Sequence, residues 1–368
     1  MTWMRPQDGR SGLMRAEARY PVKERRIVFD EHNLVAAIER VLSDFEAIWQ
    51  ATPHQAEVTV AHGRFQLRSQ HPDYLTQASR SLASRGAPTR TTCRIAIVTL
   101  ANPALTAPDW PTSTFRERPM EALLSETPYR LHYFPELQFW QIYDRDRAIG
   151  LQIMPTHDGF PPWDPGSPLR NFLQWHLGGE TGSLLHGGTL GLGDRGVLLA
   201  GEGGSGKSST VLAGIFGGLS SVGDDYVYVE TDTLIARPLF ETLKQDRAGL
   251  ERLNRHTHPA IPQEDNWQGK RQFYMPDVAA RPMPEALPLC ALLLPQITGG
   301  NRTALAPVTR KEAFLALAPS GVTQIHCDRQ RLFRIAAEVS RQLPAYRLTL
   351  GTDPQEIVYV LRRFLEDR

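Results

Sequence analysis

The stretch VLLAGEGGSGKS, residues 197–208, is an apolar run that leads directly into a complete G-x-x-x-x-G-K-S pattern. Glycine has no Cβ, so a glycine-rich loop can turn successive backbone N–H groups toward phosphate oxygens. The apolar run predicts a strand, and residues 207–219 predict a helix whose positive N-terminal end faces the same phosphates. A glycine-rich turn that matches by chance would lack these flanking elements. The pattern therefore predicts a phosphate loop that binds a nucleoside triphosphate.

The residue types in this loop predict separate roles. Lys207 is expected to reach the β- and γ-phosphates, and the hydroxyl of Ser208 is expected to ligate Mg²⁺. ATP and Mg²⁺ are the expected cofactors, although the pattern itself leaves the choice between ATP and GTP open. The predicted nucleotide-binding residues are Gly201, Glu202, Gly203, Gly204, Ser205, Gly206, Lys207, Ser208 and Ser209.

An acidic pair, Asp224 and Asp225, follows Lys207 after only 16 intervening residues. We expect the helix to carry the chain roughly 18 Å across a sheet, at 1.5 Å per residue, and a short strand over 219–223 to bring it back. Both carboxylates would then face the γ-phosphate, where one can hold Mg²⁺ and the other can accept a proton from an incoming hydroxyl. A solvated Gly-Asp-Asp turn is the alternative. The nearby loop favours the functional interpretation.

The run LLHGGTLGLGDRGVLLAGEGGSGKSSTVLAGIFGGLSSVGDDYVYVE, residues 184–230, resembles the HPr kinase-related group of serine kinases. That group shares a phosphate-loop core with the ATP-dependent phosphoenolpyruvate carboxykinases. In it, His-Gly lies shortly before the loop and Asp-Asp follows the loop helix, as His186-Gly187 and Asp224-Asp225 do here. The resemblance implies that His186 lies beside the phosphates, Asp224 supports the metal and Asp225 is the favoured base. The sequence leaves the division between the two aspartates open, and for His186 a strand-end histidine bonded to backbone is the alternative.

The resemblance is strong over about 50 residues and extends weakly to LPAYRLTLGTDPQEI, residues 343–357. The asparagine-rich segment that marks true HPr kinase/phosphorylases has no counterpart here. The chain is more similar to divergent kinases found beside peptide-modification genes, including kinases of lasso-peptide precursors. This resemblance implies a kinase that phosphorylates a serine of a peptide or protein.

The amino-acid composition argues against binding to nucleic acid or to a membrane surface. The 368 residues carry 41 basic and 40 acidic side chains, with no tract typical of nucleic-acid or membrane-surface binding. No apolar run approaches the roughly 18 residues that a bilayer requires. Three cysteines without metal-ligand spacing are typical of thiols in a reducing cytoplasm, which is the expected location. Kinases of this kind often assemble, so a homo-oligomer is a further expectation.

The chain is long enough for two domains. We expect a flexible basic tail over 1–27, an α+β domain for acceptor recognition over 28–165, and an α/β phosphate-loop kinase core of the HPr kinase/phosphoenolpyruvate carboxykinase type over 166–368. The proline-rich stretch 155–168 is the preferred boundary. Other expected elements are helices at 33–49, 171–177, 327–343 and 354–366, and strands at 56–61, 65–68, 93–100, 137–143, 226–230, 287–297 and 346–350. The last helix should begin with Asp353 as its cap and Glu356 in a capping box.

Phosphoryl transfer also needs cations, because negative charge spreads over the equatorial oxygens. Lys270 and Arg271 are the first candidates and Arg302 is the second; a solvated charge is the alternative for each. His256 and His258 have spacing too irregular for a metal site.

The leading hypothesis is therefore an ATP–Mg²⁺ kinase that acts on a hydroxyl. A small-molecule kinase with the same core is one alternative, because the acceptor pocket lies outside the motif. A nucleotide-dependent switch is another, although such proteins usually carry their acid on a more distant strand. ATP hydrolysis at a useful rate without any acceptor would favour the switch.

Overall fold

The computed structural model describes residues 31–108, 117–324 and 329–368, so the basic tail predicted over 1–27 and Cys327 lie outside it. These residues form a mixed α/β structure with two large sheets. None of the helices described is long and apolar enough to cross a bilayer.

The elements have the following bounds. The strands are β1 (His54–Val60), β2 (Gly63–Ser69), β3 (Cys93–Thr99), β4 (Tyr129–Phe134), β5 (Phe139–Asp144), β6 (Ile149–Met154), β7 (Gly182–His186), β8 (Gly188–Leu192), β9 (Arg195–Leu199), β10 (Tyr226–Glu230), β11 (Ile235–Pro238), β12 (Thr242–Gln245), β13 (Arg271–Tyr274), β14 (Leu287–Ile297), β15 (Ala304–Pro307) and β16 (Ala345–Leu350). The helices are α1 (Glu31–Ser43), α2 (Phe45–Ala51), α3 (Pro72–Ser81), α4 (Glu117–Leu123), α5 (Arg170–Leu177), α6 (Lys207–Phe216), α7 (Arg247–Arg252), α8 (Met275–Val278), α9 (Arg310–Gln324), α10 (Arg329–Gln342) and α11 (Pro354–Glu366).

The N-terminal half is built on a six-stranded sheet in the order β1-β2-β3-β6-β5-β4. Side chains alternate across its central strand β3, because successive residues of a strand face opposite sides of the sheet. Ile95 and Ile97 pack into the cluster that includes Tyr74 of α3. Ala96 and Val98 pack into the cluster formed with α1 and α2.

The second sheet carries the glycine-rich loop. Its parallel strands β9, β14 and β16 pair in that order and are flanked by the antiparallel strands β8 and β15, while β7, β10 and β11 continue the sheet from the start of β14. Val197 and Leu199 join the cluster that contains α6 and α11. Leu198 and Ala200 join the cluster that contains α9 and α10. Both faces are therefore covered, as is usual for parallel strands.

The two halves share one hydrophobic cluster. Phe65 and Ile95 of the N-terminal sheet belong to the same cluster as Phe172 of α5 and Tyr226 and Tyr228 of β10. Residues 155–168 thus connect two parts of one continuous core.

The segment 219–223 is the clearest failure of the sequence-based prediction. It is not a strand: Ser220 forms only an isolated bridge with Gly191, and Gly223 adopts φ +155°. The segment nevertheless runs along β8, since the N–H of Thr189 donates to the carbonyl of Gly223 at 2.9 Å. The preceding helix ends at Phe216, earlier than predicted, because Gly217 and Gly218 follow and Gly218 has φ +83°.

Other predictions agree or differ in detail. The strand 287–297 and the helix 354–366 have the predicted bounds, and Asp353 caps that helix by accepting from the N–H of Gln355. The predicted capping box is wrong, because Glu356 accepts from the N–H of Thr303 instead. The helix predicted over 33–49 is two helices that meet at Asp44. The strand predicted to begin at 137 begins at Phe139, after a 3-10 turn.

Candidate functional site

The glycine-rich loop, residues 201–206, forms an open cradle after β9. Gly201, Gly204 and Gly206 have φ of +150°, +81° and +102°, conformations that side chains with a Cβ rarely adopt. A Cβ at Gly203 or Gly204 would meet nothing within 4 Å. The loop therefore leaves space above its backbone for a ligand.

Lys207 begins α6 and its side chain is largely buried beneath this loop. Its Nζ donates to the carbonyls of Gly201 at 2.7 Å and Glu202 at 3.0 Å. Burial lowers the pKa of this amine, while the charges of Asp224 and Asp225 act in the opposite direction. The amine therefore lies between the loop and the acidic pair.

Asp224 is buried at the phosphate-loop end of the sheet. The hydroxyl of Ser208 lies close enough to its carboxyl group to lower the pKa of that group, and the Oδ1 of Asp224 is buried without a partner in the described structure. Burial, reinforced by the charge of Asp225, raises the pKa of Asp224 to about 7. The Ser208 hydroxyl and the unsatisfied Oδ1 of Asp224 are oxygen ligands of the kind that a small hard cation such as Mg²⁺ prefers.

Asp225 occupies a different environment, although it is the next residue. Its side chain is 35% exposed; His186 Nε2 lies 3.1 Å from Oδ1 and Lys244 Nζ lies 3.4 Å from Oδ2. Burial alone would raise the pKa of Asp225. The hydrogen bond from His186 and the charges of Lys244, His186 and Arg170 outweigh it and hold the pKa well below its usual range. Asp225 is therefore the ionised member of the pair.

The backbone explains why these groups meet. In the antiparallel pairing of β7 with β10, His186 is opposite Tyr226, so the histidine lies beside the residue that follows Asp225. The N–H of Gly187 donates to the carbonyl of Asp225 at 3.0 Å. Strand pairing, rather than the predicted strand over 219–223, thus holds the acidic pair at this edge.

Two cations of the site were missed by the sequence reasoning. Lys244 comes from β12, which pairs with β13, and Arg170 begins α5, where its Nη1 donates to the hydroxyl of Tyr226 at 2.6 Å. No local pattern marks either residue, because each reaches Asp225 through long-range packing. The adjacent residue of β12, Gln245, also donates to the hydroxyl of Ser209 at 2.8 Å.

The predicted cations Lys270 and Arg271 separate in the structure. The charge of Lys270 acts on both Lys207 and Asp224, so this residue lies near the site. Arg271 is buried at the start of β13, where its Nη1 donates to the carbonyl of His256 at 3.1 Å. Arg302 is an exposed residue in the loop after β14.

No model of a known protein family matches the chain, and no curated protein matches it. Among the residues that the structure describes, no group of three or more His, Cys, Asp or Glu side chains could hold a metal ion. Any ion bound at Asp224 would therefore take most of its ligands from water or from a phosphate-bearing ligand.

Proposed function

We propose that this chain is an ATP- and Mg²⁺-dependent kinase that transfers the γ-phosphoryl group to a serine hydroxyl of a peptide or protein. The observation that supports the proposal is that Ser208, directly after the loop lysine, lies close enough to Asp224 to lower the pKa of its carboxyl group. The neighbouring carboxylate, Asp225, has a lowered pKa and is anionic.

Nucleotide binding would use the cradle and the lysine. The open space at Gly203 and Gly204 would receive the β- and γ-phosphates, with the N-terminal end of α6 adding a favourable dipole. Lys207 would exchange its bonds to the loop carbonyls for bonds to phosphate oxygens, which compensate its burial with opposite charge.

The Ser208 hydroxyl and the Asp224 carboxylate would hold Mg²⁺, which supplies neutralisation of charge on the phosphate oxygens when bound. The raised pKa of Asp224 supports this role, because an isolated buried carboxylate is costly and a cation relieves that cost. Lys270 would contribute a second positive charge on the same side.

Transfer would take place in front of Asp225. The serine oxygen forms a bond to the γ-phosphorus, the bond from that phosphorus to the β–γ bridging oxygen breaks, and the hydroxyl proton passes to Asp225. A carboxylate with a lowered pKa is a weak base, so its main contribution is to orient the hydroxyl, and it receives the proton late. His186 and Lys244 fix its orientation.

The decisive test compares Asp225→Asn with the native chain. We expect phosphate transfer from labelled ATP to peptide acceptors to fall about 10³-fold, within the range for loss of a group that acts on the proton in the transition state. ATP affinity, measured by calorimetry, should remain within about 2-fold. Asp194→Asn, at an exposed turn before β9, is the matched control and should leave both quantities unchanged.

Transfer at native rate by the Asp225→Asn variant would contradict this role. Rapid ATP hydrolysis with no acceptor would instead favour a nucleotide-dependent switch. Transfer to metabolites but not to peptides would favour a small-molecule kinase.

A further inference from the structure

Along one edge of the second sheet, the glycine-rich loop lies between two different flanks. The strands β16, β14 and β9 pair in that order, and β8 pairs with β9 on its other side. Asp224 lies beside the start of β8, since a Cβ built on Gly188 would be 3.1 Å from the carbonyl oxygen of Asp224. Neighbouring strands are about 4.8 Å apart. The acidic pair is therefore on the β8 side of the loop, and the ends of β14 and β16 are on the opposite side.

This order gives a bound triphosphate a direction. In the proposed function, the γ-phosphate faces Asp225, and Lys207 holds the β- and γ-phosphates. A triphosphate is a linear chain, so its α-phosphate and its nucleoside extend away from Asp225 along the same edge. The nucleoside would therefore lie at the ends of β14 and β16.

The ends of these two strands present an exposed apolar side chain beside the loop. Ile297, the last residue of β14, is 59% exposed, whereas Leu350, its pairing partner in β16, is buried. A Cβ built on Gly206 would lie 2.4 Å from Leu350 Cδ1, and 3.4 Å and 3.6 Å from Ile297 Cγ1 and Cδ1. Leu350 therefore packs against the loop, while Ile297 leaves an apolar face open directly next to it.

The loop that follows Ile297, residues 298–303, is attached to the neighbouring strand and helix. The N–H of Thr303 donates to the carboxylate of Glu356 in α11 at 2.8 Å. The N–H of Gly351, directly after β16, donates to the hydroxyl of Thr303 at 3.0 Å. The pairing of β14 on one side and these bonds on the other hold Ile297 in place beside the cradle.

The polar side chains of this loop are not preorganised. Thr298, Asn301 and Arg302 are exposed, and within the described part of the chain none of them forms a side-chain hydrogen bond or an ion pair. A site separates adenine from guanine when fixed donors and acceptors meet the edge of the ring, because the wrong base leaves them unpaired. Apolar contact with the face of the ring is open to either base.

We propose that the exposed face of Ile297 contacts the base of the bound nucleoside triphosphate, through the face of the ring alone, and that the chain therefore binds ATP and GTP equally well. This inference rests on the proposed kinase function, which sets the direction of the triphosphate, and it specifies the class of donor nucleotide.

The test measures nucleotide binding separately from transfer. The full chain is titrated by calorimetry, in the presence of Mg²⁺, with ATP, with GTP and with inorganic tripolyphosphate, which has the phosphates but no base. We expect the native chain to bind ATP and GTP with affinities within about 5-fold of each other, and tripolyphosphate more weakly than either.

Ile297→Ser should weaken binding of ATP and of GTP by about 5-fold each and leave the affinity for tripolyphosphate within about 2-fold. Ile297→Leu should keep the native affinities, because it restores the apolar face. Leu315→Ser, which removes a 52%-exposed aliphatic side chain on α9, is the matched control and should change nothing. Since Ile297 is largely exposed, its replacement should not unfold the chain.

The outcomes separate the two proposals. Binding of both nucleotides that depends on Ile297, without phosphate transfer to any peptide, would support the base contact and overturn the kinase function. Transfer from ATP together with a more than about 5-fold preference for either nucleotide would support the kinase and overturn the base contact.

Three further results would also overturn the base contact. The first is an Ile297→Ser variant that keeps its nucleotide affinity or loses tripolyphosphate affinity to the same extent. The second is a native chain that does not bind tripolyphosphate, since the phosphates would then not anchor the ligand. The third is a selective loss of ATP and GTP affinity in Trp267→Ala but not in Ile297→Ser, because Trp267 is an exposed ring three residues before Lys270, on the acidic side.

Discussion

In the glycine-rich loop, backbone conformation and open space determine the shape of the site, and Ser205 Oγ is buried without a partner in the described structure. In the segment 155–168, the backbone carbonyls already have hydrogen-bond partners. Those of Pro165 and Gly166 accept from three side chains that belong to α3 and β12. One side chain links each region to the acidic pair: Lys207 at the loop, and Lys244 beside Gly166. The loop can be recognised in the sequence because its chemistry depends on neighbouring residues. The segment 155–168 joins the site only through tertiary packing, so the sequence does not reveal it.

Of these two regions, the glycine-rich loop is expected to show the larger effect. Gly206→Ala places a Cβ at φ +102° and 2.4 Å from Leu350 Cδ1, so the turn must change. We expect ATP affinity, measured by calorimetry, to fall at least about 100-fold, since the backbone donors then diverge. Gly179→Ala is the control, because a Cβ there meets nothing within 4 Å. Native ATP affinity in Gly206→Ala would show that this backbone does not bind phosphate.

A smaller effect is expected in the segment 155–168. Gly166→Ala puts a Cβ 2.4 Å from Lys244 Cε and would displace the flexible end of that lysine from Asp225. We expect kcat for peptide phosphorylation to fall about 10-fold with ATP affinity unchanged. Lys244→Met should reproduce the result, and Lys311→Met, at an exposed position of α9, should not. Native kcat in both Gly166→Ala and Lys244→Met would remove this segment from the site.

The smallest effect concerns pH and stability. Asp164 is buried in the same segment, and burial raises its pKa to about 7 against the hydrogen bonds of Tyr74 and the Leu169 N–H and the charge of Arg170. Because the folded state then binds the proton more tightly than the unfolded state, Asp164 costs stability as pH rises from about 4 to 7. Asp164→Asn cannot ionise and escapes this loss.

Thermal unfolding of the two proteins at pH 5 and pH 8 checks this sign. The free energy of unfolding of Asp164→Asn, relative to that of the native chain, should be higher at pH 8 than at pH 5 by an amount on the order of 2 kcal/mol. Asp232→Asn, an exposed residue after β10, should show no such change. A difference in the opposite direction would show that Asp164 is ionised in the folded protein.

The sequence was most informative where the physics is local. The strand before the loop, the helix after it, the bounds of β14 and α11 and the Asp353 cap follow from periodicity and cap chemistry. The short spacing between the loop and the acidic pair led us to expect Asp224 near Ser208, whose hydroxyl lowers the pKa of Asp224. The strand expected over 219–223 failed because paired glycines and serine side chains satisfy the backbone there without a ladder.

Other parts of the site could not have been predicted in this way. Lys244 and Arg170 lie in segments that show no pattern of their own, and their contacts with Asp225 and Tyr226 depend on how the paired strands β12 and β13 and the helix α5 dock. The same is true of Arg271, whose neighbour Lys270 lies near the site while its own side chain is buried against the loop of His256. Lys270 and Arg271 are adjacent and carry the same charge, but tertiary packing gives them different surroundings.

The hydrophobic cluster that joins Phe65 and Ile95 to Phe172 and Tyr228 restricts how this molecule can move. Opening the two halves like a clamp would expose these side chains to water, at a free-energy cost that grows with each ring uncovered. Hinge closure around a substrate is thus disfavoured. A substrate of the proposed kinase would therefore meet a site that is largely preassembled, and motion during turnover is expected in side chains and short loops.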